Sequence, residues 1–241
     1  MNDKPLPKIN KFEEFRKWKR MSLENLRKIS LGTLSIIALN AWLEDTKSLI
    51  KLTFIGSLTS SLRVKNLLLK YHHGAVLFLY CLINGFISIA IMSVIAMWSK
   101  NPFIFPSLGP TAFLFFYSPK LPASSPRNTF MGHFIGIVAG WLSLAVFGIL
   151  DDGPAIITGV NMQRVFATGL SLGLTCAFMA IFVCPHPPAG ATTLIVSLGL
   201  VSSIFGLFCM MLAVFLLTIQ AFCINRLAGI DYPIWKTKAG S

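Results

Sequence analysis

Apolar positions along this chain fall into long unbroken runs, not the alternation of a half-buried strand or the stripe of a surface helix. Ala75–Trp98, His133–Leu150 and Val201–Ile224 are three such runs, and Val165–Val183 is a fourth of nearly equal strength. Each holds the roughly 18–25 apolar residues a helix needs to cross a bilayer. Phe103–Tyr117 and Ala189–Leu200 are apolar too, but short for a crossing, and each begins at a cluster of Pro and Gly. Upstream, Lys11–Ser30 interleaves Phe12, Phe15, Trp18, Leu23 and Leu26 with basic residues, which suits an amphipathic helix in the headgroup layer. Ile29–Leu43 is more apolar but short and ends at Glu44-Asp45-Thr46-Lys47, and reads as interfacial or packed against the bundle, with a true span the alternative.

The pattern predicts an all-α, polytopic helical membrane protein. Residues 1–73 form a basic cytoplasmic or interfacial region, 74–226 the membrane domain and 227–241 a cytoplasmic tail. Counted as crossings, the short runs bring the total to six segments, ordered long, broken short, long, and then the same again over 74–150 and 163–226. Gly109-Pro110-Thr111-Ala112-Phe113-Leu114 then aligns with Gly190-Ala191-Thr192-Thr193-Leu194-Ile195. Three-segment repeats joined head to tail have opposite orientations, the inverted-repeat plan of many secondary transporters. The alternative is four spans plus two re-entrant segments.

Charge supports the membrane assignment. Only 12% of the 241 residues are charged, against about 25% in a soluble domain. Residues 1–73 hold 14 Lys and Arg against 6 Asp and Glu, and residues 74–241 hold 7 against 3. From Gly74 to Ile224 the ionised side chains are Lys100, Lys120, Arg127, Asp151, Asp152 and Arg164. The net charge of +12 therefore points to cytoplasmic loops facing anionic lipid, not to nucleic acid. Six crossings put Lys120, Arg127 and the tail inside with the N-terminus, and Asp151 and Asp152 outside. Cys81, Cys176, Cys184, Cys209 and Cys223 lie in or beside apolar runs without metal-binding spacing, and read as small hydrophobes.

The chemistry concentrates at the two breaks. Pro106-Ser107-Leu108-Gly109-Pro110-Thr111-Ala112 and Pro185-His186-Pro187-Pro188-Ala189-Gly190-Ala191-Thr192-Thr193 each read as an extended stretch followed by a helix start. A helix start offers free N–H groups and the positive end of the dipole, which favour an anion. Ser107, Thr111, Thr192 and Thr193 add hydroxyls, and Gly109 and Gly190 allow close backbone approach. Unwound backbone at membrane depth survives only when buried in protein or lining a cavity. Two matched breaks therefore point to one shared central site, although either alone would read as a packing kink.

These motifs, together with Pro126-Arg127-Asn128 and Gly132-His133, resemble the HPP family of integral membrane proteins over about residues 73–226. The resemblance implies a small helical membrane protein, usually described with four spans; some plant plastid members are associated with nitrite transport. It also favours a functional role for Arg127, which alone reads equally as an oxyanion clamp or a topology anchor. His133 and His186 are the membrane portion's histidines. Either can carry a proton; for His186 the alternative is a neutral ring donating to a backbone carbonyl freed by the prolines.

The expected function is a transporter or channel for a small inorganic anion, with nitrite the leading candidate. Expected substrate-binding residues are Ser107, Gly109, Thr111, Arg127, Asn128, His133, His186, Gly190, Thr192 and Thr193. No cofactor or metal is expected. A non-transporting scaffold or sensor using residues 1–73 is the alternative. A membrane enzyme is remote, because Asp151 and Asp152 are the only acids of residues 74–226 and adjoin in one loop. The acidic Glu13, Glu14 and Glu24 argue against a transit peptide, which leaves a bacterial inner membrane as the expected location. Gly132, Gly136 and Gly140 form a close-packing stripe that serves either one chain or a homo-oligomer.

Overall fold

The computed structural model describes residues 39–46 and 64–237. The amphipathic segment Lys11–Ser30 and most of Ile29–Leu43 lie outside the described residues. The described helices are α1 (39–46), α2 (Val64–Lys70), α3 (His73–Ser99), α4 (Leu108–Tyr117), α5 (Pro126–Val146), α6 (Ala155–Thr158), α7 (Met162–Ile181), α8 (Ala189–Ser197) and α9 (Ile204–Leu227). A 3₁₀ turn at Pro122–Ser124 precedes α5. Helix α1 runs through Glu44 and Asp45, past the polar end expected for that run.

Local chemistry sets the boundaries. Ser125 caps α5 by accepting from the Asn128 amide, with Pro126 in the first turn. Asn161 caps α7 and Ser203 caps α9 in the same way. Four helices, of 27, 21, 20 and 24 residues, are long and apolar enough to cross a membrane. At 1.5 Å per residue they span about 30–40 Å. Helices α4 and α8 have 10 and 9 residues, about 14–15 Å, or half a hydrocarbon layer. Among the described residues, four helices are therefore of full crossing length, and the two broken segments each contribute a half-length helix. Pro102 and Pro106 before α4, and Pro185, Pro187 and Pro188 before α8, keep both helices from extending backwards.

Helix α5 packs on α7, α8 and α9; α3 packs on α4, α7 on α8, and α9 on α4 and α3. Phe115, Phe116, Leu108, Met210 and Leu217 fill the interior, while Phe86, Trp98, Phe166 and Phe208 are exposed where lipid would meet them. One end of the bundle is tied by Val64 N–H to Ala228 O, Asn225 Nδ2 to Phe115 O, and Arg127 N–H to Trp235 O. The opposite end is tied by Ala155 N–H to Leu198 O and by Arg164 to Ser197 O. Helix α4 thus points its C-terminus at the first end and α8 at the second, and their N-termini lie between.

The tail is not a free appendage. Tyr232 is fully buried, packs edge-on to Phe115 and donates to Ser124 O, which straps residues 228–235 across the first end. The glycine stripe packs within the chain. A Cβ at Gly132 would lie 2.7 Å from His186 Cβ, and one at Gly140 2.8 Å from Val196 Cβ.

Candidate functional site

The N-terminal turns of α4 and α8 meet at His133, which α5 carries. Thr111, on the first turn of α4, has its hydroxyl oxygen 3.0 Å from His133 Nε2. Thr192, on α8, has its hydroxyl 2.7 Å from His133 Nδ1. One imidazole therefore bridges the matched threonines of the two broken segments. His186 comes in from the His-Pro-Pro stretch, its Nε2 3.2 Å from His133 Nε2 and 3.4 Å from Thr111 Oγ1. Ser107, Thr111, His133, His186 and Thr192 are all fully buried.

The partners fix the hydrogens of the neutral pair. The Ala123 carbonyl only accepts, so His186 Nδ1, 2.7 Å away, carries a hydrogen and donates. Neutral His186 then accepts at Nε2, which makes the facing His133 Nε2 a donor. His133 Nδ1 is left as an acceptor, and Thr192 donates to it. A directed chain runs from Thr192 through His133 and His186 to Ala123 O. Thr111 donates to Ser107 O at 2.8 Å, and its oxygen remains open to His133. Ser107 Oγ, buried one turn earlier, has no hydrogen-bond partner among the described residues.

Several expected roles change. Ala189, Gly190 and Ala191 donate their amides to the carbonyls of His186, Pro187 and Pro188, so these N–H groups at the start of α8 are not free for an anion. Hydroxyls and the two dipole ends are what that region offers a ligand. A Cβ at Gly109 would meet nothing within 4 Å, and one at Gly190 only Leu172 Cδ1 at 3.6 Å, so no protein segment requires close approach at either position. That requirement falls on Gly132 and Gly136, where the opposing segment presses on α5.

Thr193 turns away from His133 and bonds Thr175 Oγ1 at 2.8 Å and Ala189 O at 3.0 Å. Arg127 donates to Phe182 O and Val183 O, each at 3.0 Å, and to Asn128 Oδ1 at 3.1 Å. It thereby caps the end of α7, where a cation suits the dipole. It also holds Val183, a β-branched residue at φ 49°, in the left-handed region just before the His-Pro-Pro stretch.

Two features lacked a sequence signal for their role. Arg164 is 2% exposed and donates to Ser197 O at 3.2 Å and Gly153 O at 3.0 Å, with no carboxylate within ion-pair distance among the described residues. Gly199, at φ +72°, leaves room for its guanidinium. The second is a groove of about 580 Å³, lined by Leu172, Thr175, Met179, Pro185, His186 and Pro187, that opens beside the histidine pair.

Comparison with known proteins agrees with a membrane-spanning chain. Two transmembrane proteins of Dictyostelium discoideum are similar to the chain. One is 33% identical over 93 residues, covering 39% of this chain and 29% of the relative. The other is 26% identical over 117 residues, covering 47% and 34%. The chain thus spans about a third of the length of these curated relatives. No solved structure matches it. The model of the HPP transmembrane region matches residues 71–233, about two thirds of the chain, taking in the His133–His186 cluster and most of the strapped tail. On that match, the chain belongs to the HPP transmembrane family.

Proposed function

We propose that this chain carries a small inorganic anion across the membrane, with nitrite the first candidate, through a site at the His133–His186 cluster. The observation that carries this reading is the meeting of two half-length helices, by their N-termini, at one buried imidazole. Two positive dipole ends converge there, with three hydroxyls and no carboxylate on α4, α5, α7, α8 or α9. Arg164, on α7, adds a buried positive charge at the far, C-terminal end of α8. An anion is the ligand such a field attracts. The described conformation is closed, and a carrier or gated channel has to open it to one side.

The same reading takes the two halves as an inverted repeat. The packing pairs match under exchange of α3 with α7, α4 with α8 and α5 with α9: α3 on α4 mirrors α7 on α8, and α9 on α4 mirrors α5 on α8. Lys120, Arg127, Arg226 and Lys236 share one end with Asp231, and Asp151 and Asp152 lie at the other, with Lys100 the one basic misfit there. That bias supports a cytoplasmic start of α3. A bacterial inner membrane is one bilayer with this polarity.

Flux into proteoliposomes loaded with an anion-sensitive dye tests the proposal. Nitrite uptake is expected at least about tenfold above protein-free vesicles, a margin that corresponds to about 1.4 kcal/mol in barrier height. Failure of nitrite, nitrate, formate and chloride alike, with a known channel active alongside, would overturn it.

A further inference from the structure

We infer that the His133–His186 pair binds a proton together with the anion, that Thr192 couples the two, and that proton and anion cross as a neutral pair. This rests on the anion-transport reading above.

The hydrogen-bond chain itself says where an added proton fits. His186 Nδ1 and His133 Nε2 already carry hydrogens. A proton on His186 Nε2 would set two N–H groups head to head across 3.2 Å. A proton on His133 Nδ1 breaks nothing. The Thr192 hydroxyl, 2.7 Å away, turns from donor to acceptor, and the other bonds of the chain stay as they are. Turning frees the Thr192 hydrogen. A hydroxyl on the first turns of α8 then becomes a donor for an anion at the moment His133 becomes cationic.

Electrostatics make the two events inseparable. The titratable and charged side chains on the elements around the pair are Arg127 on α5, Cys184 beside His186, Arg164 and Cys176 on α7, Tyr117 at the far end of α4, and Cys209, Cys223 and Arg226 on α9; α8 carries none. None is a carboxylate. A cationic His133 would therefore be a buried, unpaired charge between two helix N-termini, an arrangement paid for heavily unless an anion sits beside it. An anion alone, conversely, finds Thr192 already committed to His133. Ser107 Oγ, buried and without a partner among the described residues, supplies a second hydroxyl one turn before Thr111. In transport, one proton from water enters with each anion and leaves with it on the other side.

The experiment uses the full chain in vesicles, with nitrite as the probe, an internal pH dye, and the voltage clamped by potassium and valinomycin; rates in protein-free vesicles are subtracted. Expected are acidification of one proton per nitrite and an uptake that is the same at either voltage. An uncoupled anion would instead change its accumulation by about fifty-fold per 100 mV. Voltage-driven nitrite uptake without acidification overturns the coupling and leaves the anion reading standing. Absence of any anion flux removes both. Thr192→Ser is expected to keep coupled uptake within about threefold of the parent, and Thr192→Val to lose at least about tenfold while remaining monodisperse. Coupled uptake by the valine variant at the parent rate would overturn the role of Thr192.

Discussion

Gly136→Val is expected to destabilise the protein by about 2–3 kcal/mol, the upper range for overpacking a close-packed interior. A Cβ at this position would lie 2.8 Å from Thr193 Oγ1 and 2.9 Å from the Ala189 carbonyl oxygen. The second neighbour is backbone and cannot rotate away, so α8 has to move off α5. That movement would also stretch the 2.7 Å contact between Thr192 and His133. In detergent, the unfolding midpoint should fall by roughly 5–10 °C for a chain of this size. Gly190→Ala is the matched control, because its Cβ would meet only Leu172 Cδ1 at an ordinary 3.6 Å. Equal losses at both positions would mean that α8 does not press on α5 as described.

Thr111→Val should reduce anion flux by about tenfold or more while leaving the fold intact. Valine has nearly the shape of threonine, so α4 still packs, but the hydroxyl that bonds Ser107 O at 2.8 Å and faces His133 Nε2 at 3.0 Å is gone. Leaving buried polar groups without that partner costs about 1–3 kcal/mol, enough for such a loss if they face the permeating anion. Gly109→Ala, two residues earlier with open space around its Cβ, should leave flux unchanged. Parent-level flux in Thr111→Val would take the pair off the transport route.

The long helices were legible because lipid demands uninterrupted apolar length, yet their ends follow other rules. Helix α5 begins at Pro126, seven residues before the apolar run expected at His133, because the Ser125 cap and Pro126 start it there. It ends at Val146, just before Gly148 takes φ +66°, so the apolar Phe147–Leu150 leaves the helix. Thr111, His186 and Thr192 could be singled out from the two proline-rich breaks, and His133 as the other histidine of the membrane portion. That one imidazole bridges both breaks could not, since the contact joins residues 22 and 59 positions from His133. How tightly each glycine is packed was not legible for a related reason. A glycine in a break signals a kink, but whether a Cβ fits depends on the segment opposite, which crowds Gly132 and Gly136 instead. Arg164 was legible only as one of the few charges between Gly74 and Ile224, and nothing local indicated that its partners are carbonyls at the end of α8 and in the loop before α6.

The central claim is that the histidine pair is where the anion sits. The chain has four histidines, and two of them, His72 and His73, lie at the start of α3, away from the cluster. In protein labelled with ¹⁵N at histidine, the imidazole signals of His133 and His186 should shift on titration with nitrite, while those of His72 and His73 stay still. If nitrite crosses the membrane yet leaves the signals of His133 and His186 unmoved, the site lies elsewhere and the account is wrong.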